Sequence, residues 1–223
     1  MSLEKNKNWK FYVSGVCAIL FLLLIVLLRT VDVAAIGPQG TEIGFSHLNR
    51  AVFDFFGVHT VFSTITDGLG ILVLASAALF AVMGLVQWIK RKSILKIDRE
   101  LWALGGLYLT VIILYVLFEF AVVNYRPILL EAGQNPEPSF PSSHTMIACV
   151  ILGSAMMVIA RYVKNRKLVL VLEILSAVFL GAIIILRLAS GVHWFTDIVG
   201  GILISAALLA LFSGLLDRFP RES

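Results

Sequence analysis

Long apolar runs separated by short polar interruptions set the pattern of this chain. Six runs, at about 11–29, 68–89, 101–123, 144–163, 168–189 and 195–216, each supply the roughly 20 mostly apolar residues that cross a bilayer. In lipid a backbone must satisfy its own hydrogen bonds, so all six are predicted to be helices. The longest connection, about 30–67, begins with a turn-rich stretch, Ile36-Gly37-Pro38-Gln39-Gly40. It continues from Leu48 to Ile65 with Val52, Phe53, Phe55, Phe56, Val61 and Phe62, a pattern that predicts a short interfacial helix. Two roles fit that element: a gate beside a lateral lipid entrance, or a loop helix packed over the bundle. Gly200-Gly201 and Gly153-Ser154, inside apolar runs, read as places where helices approach closely. No internal repeat is visible.

Composition turns this pattern into a class. Of 223 residues, 59% are hydrophobic and 14% charged, and the mean hydropathy is +0.95. A soluble domain carries about 25% charged residues. The expectation is an all-α polytopic membrane protein, one domain over 1–223 with six transmembrane helices in one bundle. The net charge of +4 comes from small basic clusters between spans and gives no nucleic-acid signal. Cys17 and Cys149 both lie in apolar runs and read as small buried hydrophobes rather than a disulfide. Lys5, Lys7 and Lys10 before the first run, with Val33-Ala34-Ala35 after it, imitate a signal peptide, but the apolar stretch exceeds the 7–15 residues of a signal core. The first run is therefore expected to remain as a span.

Orientation follows from the basic residues. All of the 18 lysines and arginines except Arg29, Arg50, Arg126 and Arg187 fall on one side of the spans. The positive-inside rule puts that side, and both termini, in the cytoplasm. Three polar motifs then share the opposite face: Arg126-Pro127, Pro141-Ser142-Ser143-His144, and Arg187 with His193 and Asp197. Ionisable groups at span edges are costly unless they have a task.

Each motif has a chemical and a plain reading. His193 and Asp197, four apart, would share a face at the outer start of the sixth helix. The carboxylate would fix the imidazole tautomer and leave the other ring nitrogen free to attack; otherwise the pair caps the helix. Arg126 and Arg187 match phosphate oxygens bidentately, or reach out to lipid headgroups. The two serines of the middle motif are N-cap candidates for the fourth span. The first-turn amides, with the helix dipole, form an anion site, and His144 stands beside it to protonate a leaving oxygen. His47 and His59 read as ordinary interfacial residues, and one His with one Asp is too few ligands for a metal. Glu173, inside the fifth span, is expected to make an interhelical hydrogen bond.

Arg-Pro, Pro-Ser-Ser-His and Arg-x5-His-x3-Asp, in this order, resemble the type 2 phosphatidic acid phosphatase superfamily, which includes bacterial lipid phosphatases and, more distantly, vanadium haloperoxidases. The motifs span about 119–197. The resemblance implies that His193 is the nucleophile, Asp197 its orienting partner and His144 the general acid. It implies phosphate binding by Arg126, Arg187, Ser142 and the amide of Ser143, with no metal and no cofactor. Three positions depart from the pattern. Ser143 replaces a glycine and Leu186 a serine. Glu119 replaces a lysine seven residues before Arg126, with an ion pair to Arg126 or Arg187, or contact with a cationic or hydroxyl-bearing head group, as its expected role.

The resulting expectation is a multi-pass plasma-membrane lipid phosphatase working on the extracytoplasmic side through a phosphohistidine. Its partners would be membrane lipids and a lipid phosphate. Undecaprenyl diphosphate ranks first as substrate, then phosphatidylglycerol phosphate or phosphatidic acid. A phosphotransferase, or a polyprenyl-lipid binding or transport protein without hydrolysis, are the alternatives.

Overall fold

In the computed structural model, residues 8–130 and 133–219 are described; Lys5, Lys7 and Arg221 of the basic clusters lie outside them. Seven α-helices follow one another: α1 (Trp9–Thr30), α2 (Ser46–Phe56), α3 (Thr60–Arg91), α4 (Arg99–Phe120), α5 (Ser143–Tyr162), α6 (Arg166–Ala189) and α7 (Phe195–Leu216). All except α2 are long and apolar enough to cross a membrane.

The middle of the structure is α5, which touches α3, α4, α6 and α7. In its most apolar stretch 61% of the residues are buried, against 11% for α1, α3 and α6. Its sequence suits that position, because Ala148, Gly153, Ser154 and Ala155 let neighbours approach. A Cβ on Gly153 would stand 2.6 Å from Leu209 of α7. The lipid-facing helices instead leave large side chains such as Leu22, Ile71, Ile112 and Val178 uncovered, since lipid is as apolar as the core. Along α7 runs α1, tied by Lys10 to Ser213 (2.7 Å) and by the Ser14 hydroxyl to the Ala207 carbonyl (2.8 Å). Both cysteines are free, Cys149 buried and Cys17 partly so.

Two expectations change here. The element expected over Leu48–Ile65 is two: α2 ends at Phe56, and Gly57 (φ 71°, ψ −161°) turns the chain into α3. With 32 residues, α3 therefore starts eight residues before the apolar run at 68–89 and carries Ser63, Thr66 and Asp67 in its first turns. The second change concerns Glu173, which has no hydrogen-bond partner among the described residues. It lines a cleft of about 710 Å³ between α5, α6 and α7.

Helix α2 packs over the start of α7. Asn49 donates to the Thr196 hydroxyl (3.0 Å) and accepts from its amide (3.2 Å), and Phe53 lies 5.6 Å from Trp194. Asp32 opens α2 by accepting from the Ser46 hydroxyl and the His47 amide, both at 2.9 Å, and from the His47 ring at 2.6 Å. His47 thus belongs to this cap.

Candidate active site

The motifs meet at one end of the helices, on three short connections. The first is the 121–142 loop. It folds back on itself through the Tyr125–Pro138 bridge, with the Arg126 amide bonded to the Glu137 carbonyl (2.9 Å) and that of Ser139 to the Asn124 carbonyl (2.9 Å). This hairpin fixes Arg126. Its Nε meets Glu137 Oε2 at 3.0 Å and its Nη1 reaches the Val192 carbonyl at 3.5 Å.

The second is the start of α5. Ser142 is its N-cap, fully buried, with Oγ accepting from the Thr145 amide (3.4 Å) and hydroxyl (3.0 Å). Its own amide is held by the Asp197 carbonyl (3.0 Å). Ser143 is the serine that faces the cavities, while Ser142 is engaged in capping. Close approach of α7 makes this possible: a Cβ on Gly201 would stand 3.0 Å from the Ser142 carbonyl, and one on Gly200 only 2.4 Å from the Phe140 ring.

The third is the turn from α6 to α7. Arg187 sits in the last turn of α6, 3% exposed. Gly191, at φ +73°, carries the chain past Val58 with no room for a side chain. His193 follows in this turn, two residues before α7 starts, rather than on the helix as its spacing to Asp197 suggests. Trp194 Nε1 donates to the Tyr125 carbonyl (2.8 Å), so the first and third connections are tied together.

Asp197 is fully buried and its oxygens are already engaged. Oδ2 accepts from the Trp194 amide (2.9 Å), closing a cap on α7, and Oδ1 accepts from Asn124 (3.1 Å). His193 Nδ1 lies 3.7 Å from Oδ2, beyond a hydrogen bond. Adjacency without a bond therefore replaces the expected pairing, and both ring nitrogens of His193 are buried and unpartnered. Burial, opposed by Asp197 and reinforced by Arg187 and Arg126, pushes the imidazole down to about 4. At neutral pH His193 is uncharged, the state a nitrogen nucleophile needs.

Neither expected ion pair of Glu119 forms. Arg126 pairs with Glu137, and Arg187 with Asp67 at 3.1 Å. Glu119 lies exposed in the last turn of α4, on the rim of a narrow cavity of about 20 Å³ that also exposes Arg126, Ser143 and His193. Beside it, sharing Tyr115 and Ser143, lies an apolar cleft of about 390 Å³ headed by His144 and Asp67 and walled by Ile71, Val73, Leu74, Ile147 and Ile183. A polar pocket and a largely apolar cleft thus lie side by side, with Tyr115 and Ser143 lining both.

Three residues that contact motif side chains lie outside the sequence motifs. Asn124 fixes Asp197, Glu137 fixes Arg126, and Asp67 contacts both His144 Nε2 (3.0 Å) and Arg187. The available signal for Asp67 was a carboxylate at the edge of an apolar run. For Asn124 and Glu137, within a polar loop, there was none. Among the described residues no cluster of His, Cys, Asp and Glu could hold a metal ion.

Two guanidinium groups, two imidazoles and a helix N-terminus gathered at one end of transmembrane helices define a membrane protein built to handle phosphate. The chain belongs to the PAP2 superfamily, whose signature matches residues 100–220, over half its length and all three motifs. Its fold is similar to that of the first transmembrane PAP2 type phosphatidylglycerolphosphate phosphatase from Bacillus subtilis. The TM-score is 0.70 at 18% identity, over 95% of this chain and 100% of that one. No curated protein sequence matches the chain. Family and neighbour support a lipid phosphatase.

Proposed function

We propose that this protein hydrolyses the terminal phosphate of a membrane lipid through a phosphohistidine. The observation that carries this reading is the convergence on one narrow cavity of Arg126, Ser143 and an uncharged, unpartnered His193. In the reaction His193 Nε2, the nitrogen away from Asp197, attacks phosphorus. The bond to the leaving oxygen breaks as His144 delivers its proton there. Water then attacks the phosphohistidine, gives its proton to His144 and frees inorganic phosphate. Arg126, Arg187 and the first-turn amides of α5 oppose the charge on the equatorial oxygens, the largest contribution in reactions of this type.

The adjoining apolar cleft supports a lipid as the carrier of that phosphate. The basic residues at the far end of the helices support, by the positive-inside rule, a site on the extracytoplasmic side of the plasma membrane. That side suits undecaprenyl diphosphate first, with phosphatidylglycerol phosphate and phosphatidic acid next. One observation favours a second reading, a polyprenyl-lipid binding or transport protein without hydrolysis: Glu119 puts a carboxylate on the rim of the cavity where the family pattern has a lysine. Phosphate release from purified lipid phosphates in detergent, with EDTA present, separates the two. Release from at least one lipid is expected; binding without release from any of them would overturn the phosphatase reading. Release accompanied by transfer of phosphate to a second lipid would mark a phosphotransferase.

A further inference from the structure

Asp67 lies outside the matched family region and outside all three motifs, yet it is the contact that Arg187 and His144 share. Its Oδ1 stands 3.1 Å from Arg187 Nη1 and 3.0 Å from His144 Nε2. The same guanidinium nitrogen also meets the Thr66 hydroxyl (3.0 Å) and the Ser63 hydroxyl (3.2 Å), so the first turns of α3 clasp Arg187 along one face. The carboxylate itself remains 57% exposed at the head of the apolar cleft. Its exposure leaves it room to move away, while Ser63 and Thr66 would continue to hold Arg187. A single oxygen bonded at once to a guanidinium and an imidazole uses the same two groups that would meet phosphate oxygens in the reaction proposed above.

We propose that Asp67 sets an affinity threshold for anions that enter the site. It is an internal anion that fills the position between Arg187 and His144 in the empty enzyme and must be displaced by the substrate's phosphate. The inference rests on the phosphatase reading. Its consequence is a threshold of charge. A terminal phosphate carries about −1.5 to −2 at neutral pH, whereas the phosphodiester of a bulk membrane lipid carries a single charge, no more than the carboxylate it would have to replace. A terminal phosphate wins that exchange by charge and by its additional acceptor oxygens; a phosphodiester does not. The site therefore stays open to a scarce phosphomonoester in a membrane crowded with diesters.

The test uses the full-length protein in detergent micelles. Inhibition of lipid-phosphate hydrolysis by phosphatidylglycerol and by inorganic phosphate is measured for wild type, Asp67→Asn and Asp67→Ala, with thermal unfolding to verify folding. In wild type, phosphatidylglycerol should inhibit far more weakly than inorganic phosphate. Removing the carboxylate should tighten phosphatidylglycerol and inorganic phosphate by a similar factor of about ten-fold or more, the scale of one charge-assisted contact, because an internal competitor weakens every ligand equally. Inhibition constants unchanged in both variants, or a fall in kcat alone, would reduce Asp67 to a structural residue and overturn the proposal. So would wild type inhibited equally by the two anions, an outcome that needs no variant to fold. Wild type that releases no phosphate from any lipid defeats the phosphatase reading instead, and the two failures are thereby distinguished.

Discussion

The two ends of this helical assembly use their charged side chains in opposite ways. At the basic end, Asp98 accepts from Arg91 (2.6 Å), Gln87 (2.6 Å) and Tyr162 (2.7 Å). Arg161 pairs with Glu100 (3.0 Å) and donates to the Leu216 and Phe219 carbonyls, while Lys10 meets Asp217 at 2.7 Å. These contacts fasten the N-terminus of α4 to α3 and α5, and α1 to the end of α7. At the motif end, both nitrogens of His193, Nδ1 of His144 and Nε of Arg187 are buried without hydrogen bonds, whereas Arg161 Nε, which also lacks one at the basic end, still has the Glu100 carboxylate 3.0 Å away. Charges that hold a fold are satisfied by one another, and groups that act on a substrate are left incomplete until it arrives.

The largest effect should come from the motif end. His193→Ala and His144→Ala are each expected to lower turnover by at least about 10³-fold, the scale for losing a nucleophile or its proton donor. The unfolding temperature should barely move, and radiolabelled phosphate should remain on the protein only in forms that keep His193. Next in size, Arg126→Lys and Arg187→Lys should each cost about 10²-fold in kcat/KM, because an ammonium cannot reproduce a guanidinium fork. The basic end should answer in the other currency. Asp98→Ala is expected to destabilise the protein by about 1–3 kcal/mol, since Gln87 and Tyr162 lose the carboxylate they donate to and Arg91 loses one of its acceptors, with kcat per folded molecule unchanged; a thermal melt and an assay on the same sample check both halves.

Acid should divide the ends further. With its imidazole pushed down to about 4, His193 stays neutral far below the ordinary value of 6.5. The acid limb that it sets on kcat/KM should therefore fall near pH 4. Between about 4 and 6.5 the unfolded chain takes up this proton and the folded one does not, so this group makes stability rise with pH across that window. Asp98 has the opposite starting point. Burial alone would raise its carboxyl, but hydrogen bonds from Tyr162, Arg91 and Gln87 outweigh it and hold it below the usual range. Its contribution is present above the ordinary carboxylate value and fades as pH falls through the lowered one. A pH series of melts and rates should resolve the two. The smallest effect concerns the acidic residues around Arg126. Glu137→Gln should reduce kcat/KM more than Glu119→Gln, whose change should stay within about three-fold, as for an exposed charge outside any ion pair. A larger loss at Glu119 would restore it to a direct role in the site.

Much of the fold was legible because hydropathy over 20 residues is a strong signal: the six runs coincide with α1 and α3 to α7. The start of α3 was not, because Ser63, Thr64, Thr66 and Asp67 interrupt the apolar pattern that marks a span, although a helix continues through them. The motif residues could be named from their order along the chain. What could not be read was how each is held, because that depends on partners far away in sequence. Asp67 and Arg187 are separated by 120 positions, and Asn124 and Asp197 by 73. The His193–Asp197 spacing also misled in detail, since it assumed a helix that begins two residues later.

Asp197 has a consequence for descent. By capping α7 through the Trp194 amide and anchoring Asn124, it belongs to the fold as well as to the proposed chemistry. A lineage that abandoned hydrolysis would still be selected to keep it, whereas the unpartnered His193 would be released to drift. In descendants of such a protein, the aspartate would record ancestry, and the histidine would record activity.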